Sequence, residues 1–95
     1  MKKPDFKSLF TEARKDYAYW VEGTILEFTE DMVSRMEEQG VSRSELARRI
    51  GVSPAYVTKI LRGSTNFTLD TMVKVARALD CDLRCHLQGA KGRQN

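Results

Sequence analysis

Apolar residues recur at helical spacing along most of the chain. After Pro4, the residues Phe6, Leu9, Phe10, Ala13, Tyr17, Trp20 and Val21 mark an amphipathic helix from Asp5 to about Glu22. Gly23 and Thr24 read as a break or kink, and Ile25, Phe28, Met32, Val33 and Met36 then give a second stripe that ends at Gly40. Two shorter stripes follow, Leu46, Ala47 and Ile50, then Val57, Ile60 and Leu61. A last one, Leu69, Met72, Val73, Ala76 and Leu79, is expected to face the core and close a bundle. From Asp82 to Gln88 the period changes to two, with Leu83, Cys85 and Leu87 alternating with polar residues, which predicts a strand. The expectation is an all-α bundle with an extra N-terminal helix (1–23), a central domain (24–80), and a short C-terminal β-strand with a basic tail (81–95).

Helix boundaries in the middle of the chain are marked by residue chemistry. Ser42 is a good N-cap, and Glu45 three positions on completes a capping box. Gly51 suits a left-handed C-cap. Ser53 can cap the next helix, with Pro54 at its first position, where a missing amide costs nothing. Gly63 stops that helix, and Thr68 caps the one after. Two short helices joined by a tight turn are the parts of a helix-turn-helix, and Ala47 supplies the small side chain needed where they cross. Burying Val57, Ile60 and Leu61 leaves Ala55, Thr58, Lys59 and Arg62 on the outward face of the second helix.

Ala47, Gly51 and Val57 occupy the alanine, glycine and valine or isoleucine positions of the bacteriophage repressor/Cro family, also called Xre-type regulators. The stretch SRSELARRIGVSPAYVTKILRG resembles that family throughout. The resemblance continues through NFTLDTMVKVARALDCDL, so that it covers about Thr24 to Leu83. It implies a lambda-repressor-like fold and a sequence-specific regulator of transcription, a repressor, with helix 54–62 in the major groove of double-stranded DNA.

Composition narrows the alternatives. Ninety-five residues, 41% hydrophobic and 31% charged, make one globular, helix-rich domain. No apolar run reaches membrane-spanning length and the N-terminus lacks the apolar segment of a signal peptide, so a cytoplasmic location is expected. Cys81 and Cys85 are then expected as free thiols. With His86 they offer three metal ligands and no matching fourth, and no metal or cofactor is expected. The net charge of +3 is unevenly divided: residues 1–40 hold six Lys/Arg and nine Asp/Glu, residues 41–95 ten and four. The basic part contains the helix-turn-helix, which favours phosphate as a partner. An enzyme is disfavoured by the lone His and by the lack of paired carboxylates or a nucleophile beside a base.

The resemblance also assigns roles. Pro54, Ala55, Tyr56, Thr58 and Lys59 lie where the family reads base edges; Ala55 and the Thr58 methyl suit a thymine methyl, and Lys59 suits guanine acceptors. The best-known phage repressors carry amide side chains early in this helix. Pro54 and Ala55 cannot form the bidentate adenine contact those amides allow, so readout would rest on Tyr56, Thr58, Lys59 and DNA shape. Arg43, Ser53, Arg62, Ser64, Thr65 and Asn66 are placed for phosphate contact. Arg48 and Arg49 either join them or are simply solvated.

A strand with no second strand in its own chain suggests a homodimer paired through Leu83, Cys85 and Leu87, which would bind an inverted-repeat operator. The aromatic N-terminal helix is read either as padding for the small core or as a partner-binding element. In the second case the protein is antitoxin-like: the helix binds and neutralises a toxin-like protein partner, and DNA binding is autoregulatory. The acidic face Glu27, Glu30, Asp31, Glu37 and Glu38 should point away from DNA.

Overall fold

The computed structural model describes residues 6–63 and 65–89, with side chains from Lys15 onward. Four helices run in chain order: α1 (Phe6–Gln39), α2 (Arg43–Ile50), α3 (Pro54–Leu61) and α4 (Leu69–Ala78). The core is built from Met32 and Met36 of α1, Val41 in the turn that follows it, Leu46 and Ala47 of α2, Val57 and Ile60 of α3, and Val75 and Leu79 at the α4 end. Val57, Leu46 and Ile60 are fully buried and Ala47 nearly so, which places the α2–α3 crossing at its centre.

All three expected N-caps are present. The hydroxyls of Ser42, Ser53 and Thr68 accept the amides of Glu45, Tyr56 and Thr71 at 3.1, 3.1 and 3.2 Å. The second half of the expected capping box is replaced, because the Glu45 carboxylate turns to Arg48 and Arg49 of its own helix. At the other ends, α1 closes with Val41 N–H donating to Met36 O at 2.9 Å, and α2 with Val52 N–H donating to Ala47 O at 3.0 Å. Each such closure needs one left-handed residue: Gly40, Gly51 and Gly63 serve three helices. The fourth is Asp80, at φ 57°, beside the Cys81 N–H to Ala76 O bond of 2.8 Å. Aspartate tolerates this region better than most side chains do.

Three expectations are corrected. First, the extra N-terminal helix is not a separate element, because α1 runs uninterrupted through Gly23 and Thr24 for 34 residues, about 51 Å. A glycine lowers helix propensity by about 1 kcal/mol without breaking the hydrogen-bond ladder. The Thr24 hydroxyl donates to Trp20 O at 2.8 Å, within the helix. The aromatic residues do not pad the core: Tyr17, Tyr19 and Trp20 are 69, 70 and 55% exposed. Phe6, Leu9, Phe10 and Ala13 have side chains outside the described residues.

Second, α4 is rotated from the expected register. Its buried residues are Val75 and Ala76, followed by Leu79, whereas Leu69 and Val73 are exposed. The spacing 72, 75, 76, 79 fits a helical face as well as 69, 72, 73, 76 does, so the pattern alone did not choose between them. Third, the strand expected over 82–88 is absent among the described residues. Segment 81–89 forms no ladder, Leu83 is half-buried, and Cys85 and Leu87 are exposed. A strand needs a neighbouring edge to bond to, and the described part of this chain offers none.

Two polar contacts fasten α1 to the rest. The buried Thr29 hydroxyl donates to Ile25 O at 2.9 Å and lies 3.5 Å from Ile60 O on α3. Gln39 Nε2 donates to Leu79 O at 2.6 Å, joining the ends of α1 and α4. Cys81 and Cys85 are free thiols.

Gly51 tests the α2–α3 turn. Its φ is +73° and nothing lies within 4 Å of where a Cβ would stand, so substitution strains the backbone without a clash. Gly51→Ala should lower stability by about 1–2 kcal/mol and Gly51→Val by more, since a β-branched residue is a genuine outlier at positive φ. Thermal melts check this, and an unchanged melt for Gly51→Val would show that the turn relaxes to another conformation.

Candidate nucleic-acid interface

One face of the molecule is formed by the start of α2, the start of α3 and the outward stripe of α3. The sequence builds it directly: Ser42 and Ser53 cap the two helices by accepting amide bonds, which leaves each hydroxyl proton free to donate. Pro54 and Ala55 are exposed at the first turn of α3, and Lys59 and Arg62 are exposed further along it. Arg43 Nη1 donates to the Thr58 hydroxyl at 3.3 Å, so the first residue of α2 meets the middle of α3 on this face. Among the described residues, Arg43, Lys59 and Arg62 take part in none of the ion pairs, which are Arg35–Glu38, Arg48–Glu45, Arg49–Glu45 and Lys74–Asp70. Three cations without acidic partners on one surface are matched to an external anion.

Other expected contact residues are placed differently. Tyr56 is half-buried and packs against the core, so part of its ring is committed to holding α3. The Thr65 hydroxyl donates to Lys59 O at 3.3 Å, satisfying a carbonyl at the end of α3. Asn66 is exposed beside Phe67, whose ring meets Phe28 edge-on at 5.2 Å between centroids. Ser64 lies outside the described residues. Leu83, Cys85 and Leu87 are on the segment after α4, away from this face in sequence and joined to no strand.

The two arginines left open by the sequence take structural positions. Arg48 and Arg49 both donate to Glu45, and Arg49 Nη1 also donates to Ala78 O at 2.8 Å, tying α2 to the C-terminal end of α4. Hydrogen bonds from Arg48, then Arg49, hold the Glu45 carboxyl down at about 2, so it stays ionised at neutral pH between two guanidinium groups. The i, i+3 and i, i+4 spacing of Glu45, Arg48 and Arg49 carried this signal in the sequence. The Ala78 contact did not, because it depends on how α4 packs.

A family model described as Helix-turn-helix matches residues 34–84, more than half of the chain. The chain belongs to that family, in its Xre/Cro type. Members are DNA-binding transcription regulators, and this Xre-type chain is one by that membership. Comparisons with curated proteins and with solved structures gave no match. The family match begins at Ser34, inside α1, so most of α1 lies outside it. No helix among the described residues is long and apolar enough to cross a membrane.

Arg43 and Arg49 should separate cleanly. Arg49→Ala removes the α2–α4 tie and should lower the melting temperature while leaving the α3 face intact. Arg43→Ala should leave the melt nearly unchanged and weaken DNA binding. The reverse pattern in melts and binding isotherms would exchange the two roles.

Proposed function

We propose that this Xre-type regulator represses transcription by placing α3 in the major groove of a specific double-stranded operator, a groove that admits one helix and displays a full base code. The observation that carries the reading is the surface on which Arg43, Thr58, Lys59 and Arg62 come together without acidic partners. In this reading Lys59 donates to guanine acceptors, and Ala55 and the Thr58 methyl meet thymine methyls. Pro54 fixes the approach of the helix start, and the exposed part of Tyr56 borders the bases. Arg43, the Ser53 hydroxyl, Arg62, Ser64 and Asn66 hold phosphates and set register; Thr65 supports them from the end of α3. The operator is an inverted repeat read by two copies.

A second reading, in which α1 captures a toxin-like protein and DNA binding is autoregulatory, draws on the exposure of Tyr17, Tyr19 and Trp20. A toxin-like reading frame beside the gene, with co-purification of its product, would favour it.

Selection of bound sites from random duplex DNA tests the first reading, which expects a defined inverted repeat and fails if no sequence is enriched. Affinity should fall steeply with salt, with a log–log slope of about −0.9 for each phosphate neutralised by Arg43, Arg62 and their counterparts in the second copy. An affinity that stays flat as salt rises several-fold would remove the phosphate contacts. Lys59→Ala should relax discrimination by about 1–3 kcal/mol at one position of each half-site. A uniform loss over all sequences would instead make Lys59 a phosphate ligand.

A further inference from the structure

We infer that the cleft along one face of α1, walled by α4 and the loop before it, docks a basic amphipathic helix of a different protein. The inference rests on the reading in which α1 captures a protein partner, and it names the chemistry of the segment captured.

The cleft exists because α1 packs mainly on α3 while α4 packs mainly on α2, so that α1 and α4 meet only lightly. Two recesses lie along this line. The first, of about 600 Å³, is lined by Tyr17, Trp20 and Ile25 of α1 with Phe67 and Met72. The second, of about 340 Å³, is lined by Phe28, Asp31 and Arg35 of α1 with Ala76, Leu79 and Leu83. The rings of Phe28 and Phe67 meet edge-on at 5.2 Å and join the two. Tyr17, Trp20, Thr24, Phe28, Asp31 and Arg35 follow one another at spacings of three and four, so both recesses open on the same face of α1. From Tyr17 to Arg35 this face runs about 27 Å, the length of a helix of about 18 residues.

The shape suits a helix. Small-molecule sites bury roughly 70–90% of what they hold, whereas both recesses are open troughs that would leave such a ligand largely in water. A docked strand needs a free strand edge to pair with, and the described residues form helices and no strand. A third helix needs no edge, since it lays an apolar stripe at i, i+3, i+4 and i+7 into a groove between two others.

Charge selects the partner. Residues 16–38 hold seven Asp/Glu and one Lys/Arg. Asp16, at the first recess, and Asp31 and Asp82, at the second, take part in none of the ion pairs among the described residues. Arg35, the one cation lining either recess, is already paired with Glu38 at 3.1 Å. A helix with Lys or Arg beside its apolar stripe is therefore attracted at both ends of the cleft, and the same acidic stretch of a second copy is repelled. Arg43, Thr58, Lys59 and Arg62 line neither recess, so the partner and the DNA of the proposed reading are held by separate residues.

The probe is a helical peptide of about 18 residues, with a leucine stripe and lysine elsewhere, titrated into the full chain. Trp20, the chain's one tryptophan, reports on the cleft. Its emission should shift to the blue and saturate. The same peptide with glutamate for lysine, or with its leucines scrambled off the stripe, should bind about tenfold more weakly or worse. Asp31 and Asp82 are exposed, so Asp31→Lys with Asp82→Lys should keep the melt and weaken the lysine peptide by about tenfold. Tyr17→Ala should weaken it as well. Equal binding of the glutamate or scrambled peptide, unchanged affinity in these variants, or no saturable shift would overturn the proposal. So would a blue shift on concentrating the chain alone, because a second copy would then fill the cleft. In pull-downs from the native host, a partner that binds the Asp31→Lys, Asp82→Lys variant at full strength would refute the cleft and keep the capture reading. Lysine-peptide binding in the absence of a toxin-like neighbouring gene would support the cleft and remove the toxin reading.

Discussion

The α2–α3 crossing is the constraint on which the rest of the molecule depends. Ala47 lets the helices meet closely, Gly51 turns the chain within one left-handed residue, and Val57 with Ile60 fixes α3 on the core. Interiors pack at crystal-like density, so a small change in this contact would move α3 as a body. The exposed stripe has value only because this inner side is rigid: Thr58 and Lys59 lie between the fully buried Val57 and Ile60 in sequence and take their direction from them. A helix of eight residues such as α3 has no stability of its own in water, and packing supplies it.

The charges follow the same logic of division. Glu45 gathers Arg48 and Arg49, and Arg49 goes on to the α4 carbonyl, so two of the cations in α2 are spent on structure. Among the described residues, Arg43, one turn earlier, pairs with no carboxylate and donates to the neutral Thr58 hydroxyl. Since a guanidinium donates and does not accept, it occupies an acceptor site on Thr58 and leaves its proton to point elsewhere. Simple counting of basic residues would have treated these arginines alike.

The sequence carried the helix-turn-helix almost completely, because caps, turn residues and the 3.6 period all act within a few residues of one another. Ser42, Gly51, Ser53, Gly63 and Thr68 each do in the structure what their chemistry implies. What it did not carry depends on distant neighbours. Two apolar faces of α4 fit the period equally, and the choice of Val75 over Leu69 and Val73 was made by α1 and α2. Asp80 as the fourth left-handed closure was hidden because aspartate there has several commoner uses. The strand was overread: alternation describes a segment ready to pair, and pairing requires an edge. On the outward face of α3, the spacing showed which residues point away from the core but not that Tyr56 packs partly inward or that Thr65 turns back to α3.

Gly23 is the most instructive of these differences, since the break expected there would have made the aromatic segment a separate helix free to fold back on the core. A continuous α1 prevents that. The same hydrogen-bond ladder that orders Met32 and Met36 in the core carries Tyr17 and Trp20 outward, about two to three turns before Thr29, which meets Ile60 of α3. Their exposure is therefore enforced by the stiffness of the helix, and neither side chain can reach the core by rotamer changes alone. The aromatic surface thus lies at a fixed distance from α3, so anything seated on it is held in register with that helix. A hinge at Gly23 would have lost that register; an unbroken helix preserves it.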